Sequence, residues 1–284
     1  MSDKNFASML KPVPNTLFAP APTDRYAIEY NMNHKFRGLG IIFNHENFLS
    51  NDKREGTNKD CADLQKTLTN LGFKVDIYSD YTMKDIKKTL ENVQLTEPFI
   101  LVAAQDFSDS DCIAVTLLTH GEKGGFVHAK DEMYLLDLMF LNFTSDKCRT
   151  LAGKPKIFFI QACRGDQTDS GIELRPQTQT ESTGFCDSYR IPIIADFFIA
   201  YSTVSDHLSF RSPTRGSFFI QELCKELNLN GKKYDINTLF TFINQNIAIN
   251  YTTGEACDRE YQNKKQMSCF TSTLTRILIF KDKN

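Results

Sequence analysis

Short apolar runs recur along this chain, separated by stretches whose apolar residues fall at helical spacing. Runs over 38–43, 73–78, 111–119, 156–161 and 194–201 have the aromatic and β-branched character of buried strands, and a last one covers 269–280. Between them, Leu64, Leu68 and Leu71 share one face of a helix expected over 60–70, which Gly72 ends. Thr82-Met83-Lys84-Asp85 resembles a capping box opening a second helix, carrying Ile86, Leu90 and Val93. Further helices are expected over 135–143, 217–229 and 236–251, with a hairpin around Gly124-Gly125. Alternating strands and helices of this length imply an α/β fold: a mostly parallel sheet with helices on both faces.

At 284 residues the chain can bury one large core. The 33 Lys and Arg against 35 Asp and Glu give a net charge of −2, so electrostatics offers no case for a nucleic-acid partner. No stretch reaches the roughly 18 apolar residues that a membrane span needs, and residues 1–10 hold no apolar core of signal-peptide length. The eight cysteines are scattered, most within apolar runs, and read as reduced thiols of a cytoplasmic protein. None has zinc-ligand spacing, so no metal and no cofactor is expected.

Two segments break the pattern. Residues 1–34 are rich in Pro, Ala and Asn without periodicity, and read as a flexible leader. Residues 166–190 are polar and poor in apolar side chains. A structureless stretch of that length inside a compact domain is either functional or cut.

The chemistry-bearing sequence is Gln161-Ala162-Cys163-Arg164-Gly165, directly after the run Lys156-Ile157-Phe158-Phe159-Ile160. His120, in Thr119-His120-Gly121, follows another strand-like run. Strand ends of an α/β sheet are where such folds build sites. Taken alone, Cys163 reads as a buried strand-end thiol and His120 as a core or capping histidine. Together they supply a nucleophile and an acid–base. Gly121 would let a backbone N–H approach a substrate oxygen closely and, with the Cys163 N–H, form an oxyanion hole.

The sequence resembles the caspases, clan CD cysteine proteases, over about residues 26–282. Besides the pentapeptide, the resemblance rests on Gly38-Leu39-Gly40-Ile41-Ile42-Phe43-Asn44, Arg54-Glu55-Gly56-Thr57, Gly153-Lys154-Pro155-Lys156, Ala200-Tyr201-Ser202-Thr203, Ser209-Phe210-Arg211, Gly216-Ser217-Phe218 and Lys264-Lys265-Gln266. The short leader resembles effector members, of an insect-like type. The resemblance implies a three-layer sandwich around a six-stranded sheet, with a large subunit over 35–165, a cleaved linker over 166–190 and a small subunit over 191–284. It also implies a zymogen that acts in apoptosis as a homodimer joined through its C-terminal strand, and cuts protein substrates after Asp, with Glu as a second cut-site acid. An upstream initiator caspase and inhibitor-of-apoptosis proteins are the implied partners.

By motif, Arg54, Gln161 and Arg211 would hold the cut-site carboxylate; two guanidinium forks suit a carboxylate as lysine cannot. Alone, Arg54 reads as part of a solvated charge run and Arg211 as a surface residue. Ser209 and Phe210 would line the substrate strand, and Ser209 and Arg211 would pair with it through their backbones. The chain has no Trp. Its aromatic walls would therefore be Phe210 and Phe218, which lack an indole donor, and Glu255 would repel an acidic side chain upstream. Expected processing sites are Glu181 first, then Asp169 and Asp187, with Asp24 in the leader. Two rivals stand beside this reading. One is a silent homologue regulating an active caspase by heterodimerisation. The other, a small-ligand doubly wound module, fails because no Gly-x-Gly-x-x-Gly follows the first strand.

Overall fold

The computed structural model describes residues 19, 21–90, 106–170, 192, 194–254 and 259–283. Its elements in chain order are β1 (Leu39–Asn44), α1 (Thr57–Asn70), β2 (Lys74–Ser79), α2 (Met83–Leu90), β3 (Ile113–Leu118), β4 (Phe126–His128), β5 (Met133–Leu135), α3 (Asp137–Phe140), β6 (Lys156–Gln161), β7 (Phe197–Tyr201), β8 (Arg211–Ser212), β9 (Gly216–Ser217), α4 (Phe218–Asn230), α5 (Ile236–Asn250) and β10 (Cys269–Ser272).

Six strands form one sheet in the order β10-β7-β6-β3-β1-β2, parallel except where β10 runs antiparallel to β7. The inner strands β1, β3 and β6 are buried at every position, which is why they read as unbroken apolar runs. One face is covered by α1, α4 and α5 through Leu64, Leu68, Phe219, Leu223, Phe240 and Ile243. The other is covered by α2 and α3 through Ile86, Met139 and Phe140. The expected capping box forms: the Asp85 N–H donates to Thr82 Oγ1 at 3.2 Å and the Thr82 N–H to Asp85 Oδ2 at 3.3 Å.

Several boundaries differ from expectation. The strand expected over 194–201 begins at Phe197, because Asp196 has φ 67° and turns its carboxylate onto Tyr30 and Thr275. The strand expected over 269–280 ends at Ser272; Leu278 and Phe280 are apolar because they plug the core beside α5 and α1. Leu135, the expected start of the helix over 135–143, instead ends β5, and the helix begins at Asp137. The leader reading does not hold for residues 21–34, since Tyr30 and Met32 are buried in the core and Tyr30 donates to Ile277 O through its backbone. Residues 166–170 are likewise tied down, by a Gln167–His207 and an Asp169–Lys265 bridge. Glu181, Asp187, Val93 and Glu255 lie outside the described residues.

Candidate active site

The C-terminal ends of β1, β3 and β6 converge on one edge of the sheet. Leu118 of β3 pairs with Gln161 of β6, so His120 and Cys163 each stand two residues beyond the same register position. Gly121 follows His120 so closely against the nucleophile loop that a Cβ there would lie 2.2 Å from the Cys163 carbonyl oxygen. The Gly121 and Cys163 N–H groups have no partner among the described residues. They can donate to a developing oxyanion.

His120 Nε2 lies 3.0 Å from the Asp52 carbonyl oxygen. A carbonyl only accepts, so Nε2 carries the proton and Nδ1 is left basic. The ring packs on Phe48 at 4.8 Å between centroids. Burial holds its pKa below the ordinary imidazole value, and the Arg54 and Arg211 charges push the same way. The Cys163 thiol is partly exposed, and its hydrogen-bonding neighbour is the Ser209 backbone, with the N–H at 3.4 Å and the carbonyl at 3.8 Å. The edge that was expected to pair with a peptide through Ser209 therefore lies over the thiol here.

Beside this pair lies a cationic recess. Arg54, in the β1–α1 loop, is 1% exposed, yet its Nε and Nη2 have no hydrogen-bond partner among the described residues. Only Nη1 is held, by Thr57 Oγ1, which itself donates to Asn44 Oδ1 at 2.6 Å. Burial and the neighbouring Arg211 charge push the Arg54 pKa down to about 9. Arg211 donates through Nε to the Glu55 carbonyl, and burial lowers its pKa too. Gln161 is buried and donates to Ser209 Oγ at 2.8 Å, while its Oε1 is unpartnered. Two neighbouring guanidinium groups, one of them with unused buried donors, form a site for an anion.

Phe210 and Phe218 stand 6.2 Å apart, and Tyr251 extends their row, 5.0 Å from Phe218. Phe218 is nearly buried, so it walls the groove more than it lines it. Sequence reasoning missed Tyr251, the Asp52 carbonyl, Phe48 and the role of Gln266. Gln266 accepts from the Phe210 N–H at 2.7 Å and donates to Ser202 O at 2.7 Å, suspending the substrate-side loop. A carbonyl partner and a suspending amide leave no local signature. Of the expected processing residues, Asp24 lies in an exposed turn bonded by Arg276, and the Asp169 carbonyl accepts the Lys265 N–H at 2.9 Å.

A family profile for the caspase domain matches residues 37–279. The chain belongs to the caspase family. It is 48% identical to caspase drICE of Drosophila melanogaster over 92% of this chain and 75% of that protein. It is 47% identical to caspase-1 of Spodoptera frugiperda over 93% of this chain and 85% of the relative. The crystal structure of the latter superposes with a TM-score of 0.84, covering 94% of this chain and 99% of that one at 46% identity. This caspase is thus of the insect-like effector type, with the three-layer fold expected from its sequence.

Proposed function

We propose that this caspase cleaves protein substrates after aspartate with Cys163 as nucleophile and His120 as acid–base. Its cysteine endopeptidase class follows from its family. The observation that carries the residue assignment is the buried Arg54 guanidinium with two unused donors, beside Arg211 and the thiol. An unpaired buried donor costs roughly 1–3 kcal/mol, so the empty recess favours a carboxylate of fitting length. Substrate aspartate would accept from Arg54, Arg211 and Gln161 and present its carbonyl carbon to Cys163. The N–H groups of Gly121 and Cys163 would hold the oxyanion. His120 Nδ1 takes the Cys163 thiol proton as the sulfur attacks. The S–C bond of a thioester forms as the peptide C–N bond breaks, and Nδ1 passes that proton to the leaving amine. Water, giving a proton to the same nitrogen, then cleaves the S–C bond to release the acid and restore the thiol.

The reading extends to a zymogen acting in apoptosis in the cytoplasm, cut in the 166–190 linker by an upstream initiator caspase and restrained by inhibitor-of-apoptosis proteins. Large (35–165) and small (191–284) subunits then pair as a homodimer. Support for the assembly comes from β10, which lies at an edge of the sheet and, among the described residues, pairs only with β7. No helix among the described residues is long and apolar enough to cross a membrane.

The test is cleavage of a peptide library by linker-cut protein beside Cys163→Ala, reading the residue before the cut. Cleavage after Asp that vanishes in the variant supports the assignment. No cleavage by correctly cut dimer would favour the regulatory homologue.

A further inference from the structure

Asp60 is a buried carboxylate that the mechanism above does not use. It lies in the first turn of α1, one turn after Thr57, and is 1% exposed. Its two oxygens face one residue: Oδ1 accepts the Ser217 N–H at 2.8 Å, and Oδ2 accepts the Ser217 hydroxyl. Ser217 is the residue that pairs with Arg211 in the β8–β9 ribbon. Gly216 has φ 89°, and a Cβ there would lie 2.3 Å from Asp60 Oδ1, so the ribbon closes down on the carboxylate. The Asp60 charge opposes loss of the Arg54 and Arg211 protons, as the Cys163 sulfur does for both and Glu55 for Arg211. Burial raises the pKa of Asp60 itself, opposed by its Ser217 hydrogen bonds and by the two arginines.

These contacts cross the molecule in an informative direction. Asp60 and Arg54 belong to the segment before the 166–190 linker, whereas Ser217 and Arg211 belong to the segment after it. Two guanidinium groups in one recess repel each other. The Arg211 side chain is tied to the Arg54 loop at one point, Nε on the Glu55 carbonyl, and the ribbon backbone behind it needs a second anchor. The clamp supplies it with a bidentate, charge-assisted pair of hydrogen bonds.

We infer that Asp60 is a positioning residue for the cut-site pocket: through Ser217 it sets the ribbon carrying Arg211 against the loop carrying Arg54, and its carboxylate offsets one of the two guanidinium charges. It touches neither substrate nor the reacting atoms. Three charges, two positive and one negative, leave the empty recess with a single net positive charge, and one substrate carboxylate neutralises it. This deepens the reading of Arg54 and Arg211 as the carboxylate pocket and rests on it.

Linker-cut enzyme and its Asp60→Asn and Ser217→Ala variants test the inference, with kcat and KM for an Asp-containing peptide measured across pH. Asparagine offers one acceptor where aspartate offers two, and no charge. Asp60→Asn should raise KM about tenfold, the equivalent of one charge-assisted hydrogen bond, with kcat within about twofold. Its 1/KM should also fall off on the alkaline side at a lower pH than in the unmodified enzyme, since Arg54 loses a carboxylate that holds its proton. Ser217→Ala should raise KM without moving that alkaline limb, a split that general loosening of the fold would not give. An Asp60→Asn enzyme with unchanged KM and alkaline limb overturns the inference. So does one with lower KM, which would mean that Asp60 only repels the substrate's charge. If Asp60→Asn does not fold, an unchanged KM in Ser217→Ala overturns it. Arg54→Ala and Arg211→Ala, run alongside, separate the two levels: should both keep the KM of the unmodified enzyme, the pocket reading itself falls, and this inference with it.

Discussion

Gly121 and Cys163 meet backbone to backbone, so closely that a methyl group on Gly121 would lie 2.2 Å from the Cys163 carbonyl oxygen. The sequence suggests that glycine here leaves room for substrate. The structure adds a second demand, because a side chain would first drive apart the loops that carry the imidazole and the thiol. Gly121→Ala is therefore expected to fold around its intact strands but to lose about 10²–10³ in kcat, the usual loss on removing an oxyanion donor, with KM little changed. Steady-state kinetics on the linker-cut enzyme would check it. A kcat within a few-fold of normal would mean the loops can separate without harm.

Arg54 offers a trade between stability and activity. It is a buried cation with two unused donors and its pKa pushed down to about 9, so in the empty enzyme it is a liability. Because native Arg54 holds its proton less tightly than the unfolded chain, its cost to stability is fully present below pH 9 and fades as pH rises above it. Arg54→Met should abolish cleavage after Asp while raising stability by roughly 1–3 kcal/mol, the cost of leaving buried donors unpaired. Denaturant unfolding at neutral pH decides this; a less stable variant would show that Arg54 holds the fold together.

The strands were legible where burial is uniform. β6 runs over the same residues, Lys156–Gln161, that its apolar run marks, and α5 over nearly the span its periodicity marks, because each buries a continuous surface. The thiol and imidazole were legible as strand-end residues. What stayed hidden depends on partners far along the chain. The two-residue strands β8 and β9 have no periodicity to read. Asp60 looks like an ordinary acid in the first turn of a helix, yet its partner is Ser217. Leu278 and Phe280 carry the apolar character of a strand and serve as core plugs. Arg54 is the reverse case, in which a charge run that reads as solvated conceals the most deeply buried guanidinium of the site.

Activation order is open to direct mapping. The Asp169 carbonyl is held by the Lys265 N–H, and its segment is bridged to His207 and Lys265, so a protease could not draw it into an extended strand without breaking those bonds. Cys163→Ala zymogen treated with an activating caspase should first be cut beyond residue 170, at Glu181 ahead of Asp187, with Asp169 cut later. Mass spectrometry of the early fragments gives the order. Cleavage at Asp169 first would show that the segment opens readily.

His45 gives the molecule an acid-sensitive point beside the site. It directly follows β1, is fully buried, and neither ring nitrogen has a hydrogen-bond partner among the described residues. Burial pushes its pKa down to about 4, aided by the Arg54 charge and opposed by Asp80 and Asp131. Its ring lies 6.0 Å from Phe48, which in turn packs on His120. Between pH 4 and the ordinary imidazole value the unfolded chain binds a proton that the native protein refuses, so stability falls as pH drops through that window. From the width of the window the loss is about 3 kcal/mol at its lower end. His45→Leu keeps the ring's site apolar and removes the titration, so its stability should decline less between pH 6.5 and 4 than that of the unmodified protein. Denaturant midpoints taken at several pH values in that range measure the slope directly. Parallel slopes for the two proteins would place the acid sensitivity elsewhere, with His120 the next group to examine, since burial depresses its pKa in the same direction.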